Sequence, residues 1–176
     1  MTLRILAGTA MGTALLALLF IARTTPAGYT RIELGDEAGG APVLSAVLTD
    51  GEEVTLRWLN SQFGLPVREV FRVREGLLIQ ERVTFFTPEG SQPPRVSPED
   101  VADLYHTGGP FDAEGFSRPF SRIVYRIGEI GDPRLGVRNR TVSLAEKAGF
   151  GGRMILTAAR PTVGEIARHK LLEFAE

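Results

Sequence analysis

From residue 53 to residue 86, apolar and polar side chains alternate through three successive segments, each bounded by turn residues. A period of two commits such segments to strands with one buried face, and short turns commit neighbouring strands to antiparallel pairing. Along Glu53–Asn60, Val54, Leu56 and Trp58 share one face, with Thr55 and Arg57 on the other. Along Val67–Arg74, Val67, Phe71 and Val73 oppose Arg68, Arg72 and Arg74. Leu77, Ile79, Val83 and Phe85 form the apolar side of Leu77–Phe86, which follows a turn at Glu75-Gly76. These three strands predict a meander. Pro42–Leu48 predicts a preceding strand, joined to the meander by Asp50-Gly51, a strong hairpin dipeptide.

Beyond the meander the alternation stops. Residues 87–119 hold six prolines and four glycines, long for a connection inside a domain. Ser97-Pro98-Glu99-Asp100 is a helix start inside it, with Leu104 and Tyr105 on the apolar side. A long segment of this kind is expected to contact a partner, and Leu104, Tyr105, Phe111 and Phe116 are its candidate contact residues. Strands return at Ser121–Ile127, Leu135–Arg138, Thr141–Leu144 and Met154–Ala159, with a turn at Gly149–Gly152. The tail 162–175 changes to a helical period, with Val163, Ile166, Ala167, Leu171 and Phe174 on one stripe. Thr162 and Glu165 have the spacing of a capping box.

The other end of the chain is of a different kind. Ile5–Ala22 is an uncharged run of 18 residues between Arg4 and Arg23, enough to span a bilayer once extended toward Pro26. A cleavable signal peptide is the alternative, but Arg23 stands where a cleavage region is usually uncharged. Gly8 and Gly12 form a small-xxx-small pair on which a second membrane helix packs. The organisation read from the sequence is an anchor over 1–27, a glycine-rich acidic linker over 28–41, and a β domain over 42–176. The expected fold is mostly β: an antiparallel sandwich or partly open barrel with a C-terminal helix behind a single transmembrane segment.

Chemistry is narrowed by what the chain lacks. There is no cysteine, which removes disulfides, thiolate metal sites and cysteine catalysis. Two histidines, His106 and His169, do not make a multi-histidine site, and no metal or cofactor is expected. Asp100, Asp103 and His106 fall at helical spacing but read as a solvated face. With 20 basic and 21 acidic residues, bulk-charge binding to nucleic acid is not expected. No Gly-x-Ser-x-Gly elbow surrounds Ser61, so nucleophilic catalysis has no support. What stands out is two glutamates, Glu69 and Glu81, in otherwise apolar alternations on adjacent strands. With Asn60 and Ser61 they are candidates for a small polar ligand site; the alternative is that each acid pairs with an arginine such as Arg57 or Arg126, or points to water on an open face.

The segment from Leu56 to Glu69 resembles the core motif of the bacterial domain of unknown function 1850 family (DUF 1850): an aromatic residue, a Thr-His-Ser-like triplet, a four-residue spacer, and Pro-Val-x-Glu. Trp58, Ser61, Pro66, Val67 and Glu69 occupy the matching places, Glu81 follows on the next strand, and Arg122–Gly128 is similar to a later strand. The resemblance spans about residues 42–158. It implies a small extracytoplasmic β domain held to the bacterial inner membrane by one pass, its body on the periplasmic side. Genes of that family often lie beside TRAP transporters of the TAXI type, and no activity is established for it. The implied role is an accessory or scaffold subunit of an integral-membrane complex, with a periplasmic small-ligand-binding module as the alternative. This chain departs from the pattern where the family carries histidine, at Asn60 and near Pro133, and in the turn Phe86–Gly90.

Overall fold

The computed structural model describes residues 20, 21, 23–102, 104 and 108–173. Gly8, Gly12 and Tyr105 lie outside them, as does the apolar run apart from Phe20 and Ile21. Among the described residues no helix is long and apolar enough to cross a membrane.

The domain is mostly β and has two sheets, neither of which closes into a barrel. The strands are β1 Tyr29–Asp36, β2 Leu44–Thr49, β3 Glu53–Asn60, β4 Leu65–Arg74, β5 Leu77–Phe85, β6 Arg95–Val96, β7 Phe111–Phe120, β8 Arg122–Arg126, β9 Arg134–Val137, β10 Arg140–Ser143 and β11 Arg153–Ala159. Among the described residues two helices, α1 Leu144–Ala148 and α2 Val163–Glu173, accompany the sheets. The smaller sheet has the order β2-β1-β11-β8 and the larger the order β10-β9-β3-β4-β5-β7-β6. Only the β6–β7 pair is parallel.

The meander β3-β4-β5 forms as its alternation dictates. Its β4–β5 turn is two residues long, and Glu75 and Gly76 both have positive φ, 51° and 80°. That is the turn geometry whose twist matches the flanking strands. A Cβ at Gly76 would lie 2.6 Å from the Arg160 backbone nitrogen, so only glycine fits. The Gly76 amide donates to the buried Thr30 hydroxyl at 2.9 Å, which donates to Asp50 at 2.9 Å. One polar chain thereby ties β1 of the smaller sheet to the turn of the larger.

One core is drawn from both sheets, with Ile32, Leu34, Leu48, Leu56, Phe71, Leu135 and Leu156 among its members. A second cluster lies at one end of the larger sheet: Leu65, Val67, Val83, Phe85, Val101, Phe111, Ala113 and Phe116.

Four expectations change. Residues 29–36, expected as linker, are a strand between β2 and β11; Thr30, Ile32 and Leu34 are buried by alternation, a pattern hidden by the glycines and acids around it. Asp50-Gly51 turns the chain, but β2 pairs with β1 and not with β3, so the turn is a corner between sheets rather than a hairpin. The 87–119 segment is not a free loop: Phe111–Phe120 pairs with β5, and Phe111 and Phe116 are buried in the second cluster with Leu104 packed against it. The Phe111 and Phe116 side chains are thus part of the interior. Finally, Leu144–Ala148 is helical, capped by the Ser143 hydroxyl, and the Gly149–Gly152 turn joins that helix to β11.

The C-terminal helix has its capping box: the Glu165 carboxylate accepts from the Thr162 amide at 2.7 Å, and the Thr162 hydroxyl accepts from the Glu165 amide at 3.3 Å. Arg31 of β1 also pairs with Glu165, and the helix contacts the edge strand β2.

Candidate functional site

On β4 the odd-numbered residues face the core, and Glu69 sits in that row among Leu65, Val67, Phe71 and Val73. Its cross-strand neighbours are Leu56 on β3 and Val83 on β5. A carboxylate among such neighbours must be given hydrogen bonds, because its desolvation otherwise costs several kcal/mol. Two donors supply them. The Trp58 indole nitrogen donates at 3.0 Å and the Gln80 amide at 2.7 Å. Trp58 is further fixed edge-on against Phe85, with ring centroids 6.1 Å apart. Burial pushes the Glu69 carboxyl above the ordinary glutamate range, while the two hydrogen bonds hold it back.

Tyr125 comes from β8 of the other sheet and points the same way. Its hydroxyl is buried and has no hydrogen-bond partner among the described residues. Burial raises its pKa strongly, and the charge of Glu69 adds to that rise. Trp58, Glu69 and Tyr125 line one cavity of about 230 Å³, together with Leu56, Val124, Arg126, Gly128, Gly131 and Pro133. Apart from Arg126 at its exposed side, the walls are apolar or aromatic. The inner polar groups are a carboxylate with acceptor capacity left over and a hydroxyl with none of its capacity used.

The other residues expected beside Glu69 are placed elsewhere. Asn60 accepts from the Gln62 and Phe63 amides, each at 3.0 Å, so its side chain is consumed in shaping the β3–β4 turn. Ser61 is exposed in that turn. Glu81 is on the opposite face of the sheet. The register slips by one residue at Glu81, between the pairs Val70–Arg82 and Phe71–Gln80. A bulge of this kind reverses the phase of alternation. Glu81 therefore pairs with Arg72 at 2.8 Å on the outer face, and Gln80 takes the inward position. Of the alternative to a ligand site, Glu81 does pair with an arginine, though Arg72 and not Arg57 or Arg126, while Glu69 pairs with Trp58 and Gln80.

Gln80 and Tyr125 were not singled out by sequence reasoning. Gln80 is the lone amide of β5, between the apolar Leu77-Leu78-Ile79 and the charged Glu81-Arg82, and only the bulge brings it to Glu69. Tyr125 belongs to an alternating strand whose place in the other sheet no local pattern specifies.

Among the described residues no group of three or more histidine, aspartate or glutamate side chains is arranged to hold a metal ion. The fold and site define a two-sheet β domain with a small, largely apolar cavity that carries one largely buried acid, one buried hydroxyl and Arg126 at its exposed side. No protein-family model matches the chain, and no curated protein matches it.

Proposed function

We propose that this chain is a non-catalytic binding domain, tethered to the bacterial inner membrane by the 5–22 segment and exposed on the periplasmic side. The Glu69–Tyr125 cavity takes a small uncharged polar ligand. The observation that carries this reading is a buried carboxylate and a buried, unpartnered hydroxyl, brought from two sheets to one cavity. The matching ligand presents a donor to Glu69 and an acceptor to Tyr125, as a carboxamide does. A cationic ligand is disfavoured by Arg126 on the same wall.

The test is thermal melting of the full chain in non-ionic detergent with acetamide and propionamide, against methylammonium and acetate. A saturable rise with the amides, lost in Tyr125→Phe and reduced in Glu69→Gln, supports the reading. No rise with either amide, or the same rise in both variants, rejects it.

A second reading, an accessory or scaffold subunit of an integral-membrane complex such as a transporter, is favoured by one observation. Strand β8 pairs with β11 on one side only, and Val124 on it is 44% exposed. An open edge of this kind accepts an added strand. Capture of the tagged chain from solubilised membranes, with stoichiometric recovery of an integral-membrane complex, supports it; recovery of the chain alone counts against it.

A further inference from the structure

The outer face of the larger sheet carries a row of arginines that its folding does not require. Arg57 on β3 is directly opposite Arg68 on β4 and, on its other side, directly opposite Arg134 on β9. Like charges in directly opposed positions are destabilising. Several other arginines of this sheet are neutralised: Arg72 pairs with Glu53 and Glu81, Arg82 with the buried Asp112, and Arg138 with Glu52. Arg134 is paired with Asp132 at 2.9 Å. Neither Arg57 nor Arg68 has an ion pair, and the Arg68 Nε is buried with no hydrogen-bond partner among the described residues. The acids nearest the row, Glu52, Glu53 and Asp132, are already bound by other arginines or by Arg134 itself.

The row borders two hollows. Arg57, Arg68 and Arg134 line one of about 610 Å³ with Thr55, Arg138 and the arginine-paired Glu52 and Glu53, and another of about 640 Å³ with Leu59, Pro66, Phe86 and Asp132, the last paired with Arg134. Leu59 is opposite Pro66, two register rows beyond the arginines and on the same face of the sheet. Three guanidinium groups beside an apolar shelf match an oxyanion attached to an apolar body, because guanidinium forks pair with phosphate and carboxylate oxygens in bidentate fashion.

We propose that Arg57, Arg68 and Arg134 form a binding site for a phosphate- or carboxylate-type oxyanion, with the apolar part of the ligand resting against Leu59, Pro66 and Phe86. The site is on the opposite face of the sheet from Glu69 and stands independently of the cavity reading. A soluble organic phosphate and an anionic lipid headgroup share this chemistry.

The test uses the full chain in phosphatidylcholine nanodiscs, titrated calorimetrically with phenyl phosphate at constant ionic strength. Saturable binding is expected, weakened about tenfold in Arg57→Gln and in Arg68→Gln and unchanged in Arg153→Gln, which alters an arginine of the other sheet. Arg57→Lys keeps the charge without the planar fork and is expected to fall between. Repeating the titration in discs containing phosphatidylglycerol separates the sources. Unchanged affinity assigns a soluble ligand, and competitive loss of binding assigns a headgroup. Absence of saturable binding in the wild type, or wild-type affinity in both Arg57→Gln and Arg68→Gln, overturns the proposal. Relief of the Arg57–Arg68 opposition leaves these variants folded, which their melting curves check directly.

Discussion

Replacing Trp58 by phenylalanine removes one hydrogen-bond donor from Glu69 while keeping a ring against Phe85. The lost bond is 3.0 Å long and ends on a largely buried carboxylate. Hydrogen bonds to charged groups contribute about 1.5–3 kcal/mol. The smaller ring leaves part of the indole volume unfilled, which adds roughly 1 kcal/mol. The expected loss is therefore about 3 kcal/mol, or a melting temperature lower by roughly 6–12 °C for a domain of this size. In a Glu69→Gln background the acceptor is neutral, and the same substitution should cost only about 1–2 kcal/mol. The cycle of four proteins, followed by far-ultraviolet circular dichroism on heating at pH 7, is expected to give a coupling of about 1–2 kcal/mol. Additive effects would refute the argument, because Trp58 would then be acting as a packing residue alone.

Other outcomes follow from the same geometry. Glu69 has a raised pKa in the fold, so its contribution to stability is fully present below the ordinary glutamate value and is lost as pH rises through the folded value. Glu69→Gln should flatten that fall on the alkaline side. Asp112 is held low by Arg82, first through their hydrogen bond, and its contribution is lost on acidification; Asp112→Asn should flatten the acid limb instead. Phe111 is 1% exposed and stacks on Phe85 at 4.7 Å, so Phe111→Ala should cost about 3–5 kcal/mol in chemical denaturation. A near-silent Phe111→Ala would mean that the 87–119 segment is peripheral after all. Gly76→Ala meets both a positive φ and the Arg160 backbone, and should lower stability by more than about 2 kcal/mol.

What could be read from the chain divides by the range of the interaction. The meander was legible because Val54-Leu56-Trp58 and Val67-Phe71-Val73 repeat with a period that the backbone itself imposes. The capping box at Thr162 and Glu165 was legible for the same local reason. Strand β1 was not, because its alternation is only one strand long and sits beside Gly39-Gly40 and several acids. Strand β7 was obscured by Gly115 and Pro119: Gly115 falls where the register against β5 is irregular, and Pro119 stands near the strand's end, opposite Ile79. The site was half legible. Glu69 announced itself as an acid in an apolar row, since a one-residue phase is a local property. Glu81 appeared to be its companion only because a bulge changes phase without leaving a mark in composition. Asn60 was drawn into the same group although its side-chain oxygen is occupied by its own turn. Tyr125 reaches Glu69 across the gap between two sheets, and that meeting depends on the full topology.

Trp58 is the only tryptophan in the chain, and it both bonds to Glu69 and lines the cavity, so it is a built-in reporter of that space. The most direct measurement is its fluorescence emission as the full chain is titrated with propionamide, in the wild type and in Tyr125→Phe. A saturable spectral change in the wild type, absent in the variant, is the result expected of a cavity that binds through Glu69 and Tyr125. An emission spectrum that does not respond, or that responds identically in both proteins, would contradict it.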